Sequence, residues 1–401
     1  MKIEKIIFFM LDPFSERDFH RFGIETLQSH GFHVEIWSFS KQFSSDPKDQ
    51  YSPRDPSHFT HQRSFADKKE AQQAIRSLDQ GTLVMITVPC TYLTCWIYQS
   101  VSASQARYGI ANPNAAATLG GTKASPWRHF KHPFQTLRKV PVRVFEFLAP
   151  QRWGVRAPDL ALVGGREALR YYKNIVSDQT RILWTHTLDY DLFLKAKDIP
   201  SSQAASEKPY AVFIDQYLPY HPDFALAADK KMGKPEDYYR DLNRALDFIE
   251  DHEQIPIVVA AHPRSSYADA DKAHCFPARR IVYDDLRDLV KDTKFVVAHY
   301  STGLNFAVIY EKPVIFIYNA SMQNHGLPYR ATLEAARCFG KQAHDLTHSA
   351  TLDWAEELTI DRKAYQAFRE NYIKRAGTPE QNTWVTFCEA LKLQEFGHAP
   401  S

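Results

Sequence analysis

The strongest constraint on how this chain can fold is a rhythm that runs twice along it. Short, unbroken apolar runs alternate with helical stretches of mixed polarity. Lys5-Ile6-Ile7-Phe8-Phe9-Met10-Leu11 has no polar alternation, as expected of a parallel strand covered on both faces. A polar loop over 12–18 leads to a helix carrying Phe19, Phe22, Ile24 and Leu27, which stops at Ser29-His30-Gly31, where glycine suits a helix C-terminus. Strands are expected over 33–37, 83–88 and 159–163, with a polar excursion over 41–63 between the first two. Gly164-Gly165 turns the third strand into a helix over 166–172.

The stretch 196–209 is small, polar and flanked by proline, the composition of a linker or lobe boundary. Beyond it the rhythm restarts. Strands at 210–214, 255–261, 295–298 and 314–317 alternate with helices at 236–252, 285–292 and 304–310, and 362–395 reads as helical. A chain of 401 residues exceeds one ordinary core, so two α/β domains are expected, 1–200 and 201–375, each an open sheet. Residues 376–401 form a C-terminal helix and tail that could pack back across the lobes. The default ligand site of such an arrangement is the cleft that two halves face.

Composition removes several classes of function. Net charge is +2, so nothing global argues for nucleic acid. The five cysteines are scattered without metal-site spacing, as expected of reduced thiols in the cytoplasm. The apolar N-terminus is short and reads as a first buried strand, not a signal peptide. No apolar stretch reaches the roughly 20 residues needed to span a bilayer. Aromatic residues make up 13% of the chain, compatible with sugar-binding surfaces and equally with large cores. The motifs Gly-x-Gly-x-x-Gly after the first strand, Walker A, Gly-x-Ser-x-Gly and His-Glu-x-x-His are all missing. Dehydrogenases, P-loop enzymes, α/β-hydrolases and zinc proteases therefore recede.

Three polar clusters follow strands of the second half, where doubly wound sheets bind ligands. His299-Tyr300-Ser301-Thr302-Gly303 precedes a helix, so the hydroxyls and the Gly303 amide could cradle a phosphate; the plainer alternative is an N-cap. His262-Pro263-Arg264-Ser265-Ser266 adds donors and positive charge on a turn that proline stiffens. The segment from Asp215 to Asp223 holds two carboxylates flanking His221, with Gln216 beside the first. A carboxylate near an anomeric centre can act as nucleophile, base or oxocarbenium stabiliser, and turn chemistry is the alternative.

Weaker signals are Asp189-Tyr190-Asp191, an Asp-x-Asp triplet that chance also produces, and Gly164-Gly165-Arg166, which could line an acceptor side. Residues 122–145 carry six basic residues, no acid and interleaved aromatics, suited to an anionic membrane surface or to a solvated loop.

Taken together, the His-Pro and Ser-Thr pair at strand ends of paired α/β halves resembles GT-B glycosyltransferases that use CMP-activated ulosonic acids. Bacterial sialyltransferases carry the same pair of motifs. The segment Phe213-Ile214-Asp215-Gln216-Tyr217-Leu218-Pro219-Tyr220-His221-Pro222-Asp223 is more similar to the retaining β-Kdo transferase family, typified by the WbbB Kdo-transferase domain. The resemblance implies two Rossmann-like domains, 1–200 for the acceptor and 201–375 for the CMP-sugar donor. It implies transfer of Kdo, or of a related acid such as pseudaminic, legionaminic or sialic acid, to a lipid-linked glycan acceptor of a bacterial surface polysaccharide. Asp215 would be the nucleophile, with Asp223 the rival and His221 beside them. His262, Pro263, Arg264, Ser265, His299, Ser301, Thr302, Gly303 and Gln216 would bind the donor. Neither cofactor nor metal is expected. The enzyme would be cytoplasmic, peripheral on the inner membrane through 122–145. An inverting ulosonate transferase, a UDP-GlcNAc 2-epimerase and a non-catalytic glycan-binding protein are the alternatives.

Overall fold

The computed structural model describes residues 2–11, 13–43, 56–112, 148–197, 208–221, 232–269, 271–283, 286–347 and 352–393. Asp223, the basic–aromatic stretch 122–145 and most of the expected linker lie outside the described residues. The described residues fall into two compact units. One is built from the chain up to His186 and again from Gly377 onwards; the other from Thr187–Ala376. The change of unit thus comes at His186, ahead of the expected boundary near residue 200.

In the first unit seven strands form one parallel sheet: β1 (Lys5–Met10), β2 (His33–Ser38), β3 (Gln62–Ser64), β4 (Thr82–Ile86), β5 (Arg107–Asn112), β6 (Leu160–Val163) and β7 (Arg181–Trp184), in the order β3-β2-β1-β4-β5-β6-β7. The apolar runs lie at the centre because a parallel strand has helices on both faces; β1, β4 and β6 are almost wholly buried. One expected helix is in fact two, Glu16–Arg21 and Ile24–Ser29, broken at Gly23, whose φ of 56° only glycine adopts cheaply. A Cβ at Gly23 would run into the indole of Trp384.

That tryptophan belongs to the helix Thr383–Lys392. The helix expected over 362–395 is not continuous. Arg362–Phe368 runs into a wider π turn over Arg369–Ile373, and the chain then leaves helical geometry through Gly377, φ 82°. The last helix places Trp384, Phe387, Cys388 and Leu391 in the core of the first unit with Ile6, Phe8, Ile24 and Leu27.

The second unit has six parallel strands, β8 (Ala211–Ile214), β9 (Ile257–Ala260), β10 (Ile281–Val282), β11 (Val296–Ala298), β12 (Val314–Tyr318) and β13 (Ala343–Asp345), ordered β10-β9-β8-β11-β12-β13. Successive side chains alternate between two cores. Phe213, Val259, Val297 and Ile315 pack on one face with Leu242, Leu246 and Ile249 of the helix Pro235–Glu253. Val212, Ile214, Val258, Val296 and Phe316 pack on the other with Leu304 and Val308. This two-sided burial holds the strand ends, and therefore the loops leaving them, in fixed register.

Candidate functional site

In an open parallel sheet, ligands bind beyond the carboxyl ends of the strands, where neighbouring strands send their connections to opposite sides. In the second unit that point lies between β8 and β11: the chain builds outward through β9 and β10 on one side and through β11, β12 and β13 on the other. Three of the loops singled out in the sequence leave the sheet here, after β8, β9 and β11.

Two consecutive residues bind these loops together. Asp215 is 2% exposed. Its Oδ1 accepts from the Tyr217 amide at 2.9 Å, and its Oδ2 accepts from the His262 amide at 3.3 Å and from the Tyr267 hydroxyl at 2.8 Å. Gln216, next to it, accepts the Tyr300 amide on its Oε1 at 3.2 Å. The β8 loop therefore grips the β9 loop with one residue and the β11 loop with the next. Tyr217 adopts φ 53°, an unusual conformation for a bulky residue. Its hydroxyl lies 3.1 Å from Ser266 Oγ, a second tie to the β9 loop.

Burial pushes the Asp215 carboxyl up to about 6, against the pull of the Tyr217, Tyr267, His262 and Gln216 donors. This geometry bears on the expectation that Asp215 is the nucleophile. Attack on an anomeric carbon needs an oxygen with a free approach, whereas both Asp215 oxygens are enclosed and already accept protein donors. What the structure shows of Asp215 is the hold it has on the β9 loop and on the Tyr217 amide.

The β9 loop is a tight turn in which the Ser265 amide and hydroxyl both donate to the His262 carbonyl, at 2.8 and 2.7 Å. Ser265, expected to contact donor, is 1% exposed and serves the turn. The Arg264 amide donates to His262 Nδ1 at 3.1 Å, so a neutral ring carries its proton on Nε2. His262, Pro263 and Arg264 are half-buried. His221 joins them, its ring centroid 4.9 Å from that of His262 at 70°.

The β11 loop differs more from expectation. His299 is 1% exposed; its Nδ1 lies 2.6 Å from the Ile317 carbonyl and its Nε2 2.9 Å from the Tyr238 hydroxyl. A carbonyl only accepts, so Nδ1 bears the proton and Nε2 accepts from tyrosine. Burial lowers the His299 pKa to about 4, and the ring is a neutral core residue, not a donor ligand. The Gly303 amide is also committed, donating to Ser301 Oγ at 3.0 Å, and the helix Leu304–Ile309 that it opens has only six residues. On that amide the loop's own Ser301 hydroxyl takes the place expected for a phosphate oxygen. A Cβ at Gly303 would stand 2.6 Å from Leu286 Cδ2, so that side chain would have to shift to admit one. Ser301 is half-buried and Thr302 exposed, so hydroxyls remain on the loop surface.

Gly164, Gly165 and Arg166 stand at the end of β6 in the first unit. The two glycines are buried, Gly165 caps the helix Arg166–Tyr171, and Arg166 is exposed. Asp189 opens the helix Leu188–Ala196 and accepts from Asn305 Nδ2 at 2.8 Å. Among the described residues no cluster of His, Cys, Asp or Glu could hold a metal ion, and no helix is long and apolar enough to cross a membrane.

Sequence reasoning missed the tyrosines behind the loops. Tyr267 reaches Asp215, and its hydroxyl lies 2.9 Å from that of Tyr239; Tyr238 holds His299. Tyr238-Tyr239 lies in the first turns of a helix, and only the packing of that helix reveals that both hydroxyls point under the strand ends.

No protein-family model and no curated protein matches this sequence. Solved structures do resemble it. The S. aureus MnaA–UDP co-structure is 11% identical with a TM-score of 0.52, covering 100% of this chain and 99% of that one. A structure of the wall teichoic acid polymerase TagF with CDPG is 10% identical, TM-score 0.50, covering 98% and 89%. CalG4, the calicheamicin glycosyltransferase, is 9% identical, TM-score 0.50, covering 99% and 98%. The likeness is one of fold: two Rossmann-like α/β units of the GT-B class.

Proposed function

We propose that this chain is a nucleotide-sugar glycosyltransferase whose second unit binds the donor, a CMP-activated ulosonic acid such as Kdo. The observation that carries this reading is the convergence of the His262 and Ser301 loops on the β8–β11 switch point, tied there by Asp215 and Gln216. In this reading the Arg264 guanidinium and the His262 Nε2–H face the phosphate and the sugar carboxylate, both planar or multidentate anions that such donors recognise. The hydroxyls of Ser301 and Thr302 complete the contact. The acceptor is a sugar of a growing, lipid-linked bacterial surface polysaccharide. The acceptor hydroxyl, or a carboxylate ahead of it, displaces CMP at the ulosonic C2. A retaining course needs such a carboxylate; the family resemblance names Asp215 first and Asp223 as its rival, and the enclosure of both Asp215 oxygens turns the proposal to Asp223.

A donor screen tests the reading. CMP is expected to raise the melting temperature while UDP does not, and one of CMP-Kdo, CMP-sialic, CMP-pseudaminic or CMP-legionaminic acid is expected to be consumed with acceptor. Turnover should persist in EDTA. Arg264→Ala should weaken CMP binding about tenfold or more, as for loss of a charge-assisted hydrogen bond. Protection by UDP alone would instead favour a UDP-GlcNAc 2-epimerase, the reading suggested by likeness to a UDP-bound structure. An inverted product anomer by NMR would remove the covalent step.

A further inference from the structure

The second unit contains a buried polar chain that has no place in a list of donor contacts. From Asp215 Oδ2 it runs to the Tyr267 hydroxyl at 2.8 Å and on to the Tyr239 hydroxyl at 2.9 Å. Asp215 is 2% exposed, Tyr267 4% and Tyr239 2%, so none of the three can touch a ligand on the loop surface. The tyrosine rings are themselves immobilised. Tyr267 meets Tyr217, Tyr239 and Phe276 edge-on at 5.4, 6.2 and 5.1 Å, and its amide donates to the Tyr283 hydroxyl at 3.1 Å. Buried polar groups of this kind are costly unless every partner is present, so the chain favours one arrangement over all others.

What that arrangement specifies is the backbone of the β9 loop. The His262 amide has Asp215 Oδ2 as its partner, and Tyr267 closes the same loop five residues later onto the same oxygen. The loop carrying His262 and Arg264 is thus pinned at both ends to one carboxylate. The β11 loop hangs separately, from the Gln216 side chain through the Tyr300 amide.

We propose that Asp215, Tyr267 and Gln216 are positioning residues forming a two-armed clamp: Asp215 with Tyr267 sets the His262 loop, Gln216 sets the Ser301 loop, and nucleotide affinity depends on both arms. This rests on the nucleotide reading for its affinity half only. The clamp itself is a statement about two backbone loops. It predicts selectivity, with each arm controlling its own loop.

Amide hydrogen exchange of the unliganded full chain, paired with CMP titration calorimetry, tests the clamp. Tyr267→Phe keeps the ring and removes only the hydroxyl. It should speed exchange at the His262 amide and leave that at Tyr300 unchanged, while Gln216→Ala does the reverse. Each should weaken CMP about three- to tenfold, the range for one lost buried hydrogen bond. Tyr365→Phe is the matched control. It removes another buried tyrosine hydroxyl, which donates to the Lys312 carbonyl at 2.6 Å and belongs to neither arm, and should leave CMP affinity unaltered. Unchanged exchange at His262 in Tyr267→Phe, or equal loosening of both loops by either variant, overturns the clamp. So does a loss of CMP affinity in Tyr365→Phe equal to that in Tyr267→Phe. Failure of wild type to bind CMP or UDP overturns the nucleotide reading and the affinity half, while the exchange pattern still decides the clamp. Asp215→Asn serves as the second variant on the first arm and should loosen His262 as Tyr267→Phe does.

Discussion

Asp215 and His299 are buried ionisable residues whose pH dependences run in opposite directions. A carboxyl whose folded pKa of about 6 exceeds its ordinary 3.8 holds its proton more tightly when folded. Its contribution to stability is present below about pH 4 and is lost as pH rises through 6, a change on the order of 3 kcal/mol. His299, lowered from 6.5 to about 4, contributes stability above pH 6.5 that is lost as pH falls through 4, by a similar amount of about 3 kcal/mol. The two contributions offset one another, so whole-protein stability should change little between pH 4 and 6 on their account. Single variants should separate them. Measured by denaturant unfolding, the stability gap between wild type and His299→Gln should narrow on acidification from pH 6.5 to 4. The gap between wild type and Asp215→Asn should shift the other way over pH 4 to 6 and be flat above it. A gap that does not move with pH would show that the group is not the one titrating.

At the scale of elements, the joint between Gly23 and Trp384 is the most exacting. The indole sits where a Cβ would be, its Nε1 donates to the Arg21 carbonyl at 2.7 Å, and Phe8 meets it edge-on at 5.5 Å. Trp384→Ala should cost about 3–5 kcal/mol, as large aromatic truncations in cores do, and Gly23→Ala should cost several kcal/mol, because it adds both a clash and a strained φ. Equilibrium unfolding of the two variants checks this; a Gly23→Ala protein as stable as wild type would mean that the helix moves aside freely. In the second unit, Leu246→Ala in the helix Pro235–Glu253 should cost about 2–5 kcal/mol through the cavity it leaves, since Leu246 is fully buried. Of the strands missed from the sequence, the central six-residue β5 stands apart, and β3, β7, β10 and β13 share a cause. Those four are short and stand at sheet edges, where burial is partial and the apolar signal is weak.

For the whole molecule, the C-terminal segment belongs to the unit built mostly from the N-terminal half. A chain ending at residue 376 loses Trp384, Phe387, Cys388 and Leu391 from the first core and nothing from the second. Its hydrogen-exchange protection should therefore collapse in β1–β7 and persist in β8–β13. Retained protection in β1–β7 would show that the helix is dispensable to that core.

The α/β class, the doubled rhythm, the central strands and the loops at their ends were legible along the chain, because apolar runs and turn residues act over a few neighbours. The sequence also placed His262, Arg264, Ser301 and Thr302 on strand-end loops. What it could not decide was which polar groups face outward. Asp215, Ser265, His299 and the Gly303 amide look equally available when written in a line, yet each is consumed by partners 2 to 61 residues away. The Ser265 and Gly303 bonds close within their own loops, whereas the partners of Asp215 and His299 meet only once the second sheet is assembled. Burial and hydrogen-bond satisfaction are properties of that three-dimensional neighbourhood, and they, not residue type, divided the loop residues into those that hold the site and those that can meet a ligand.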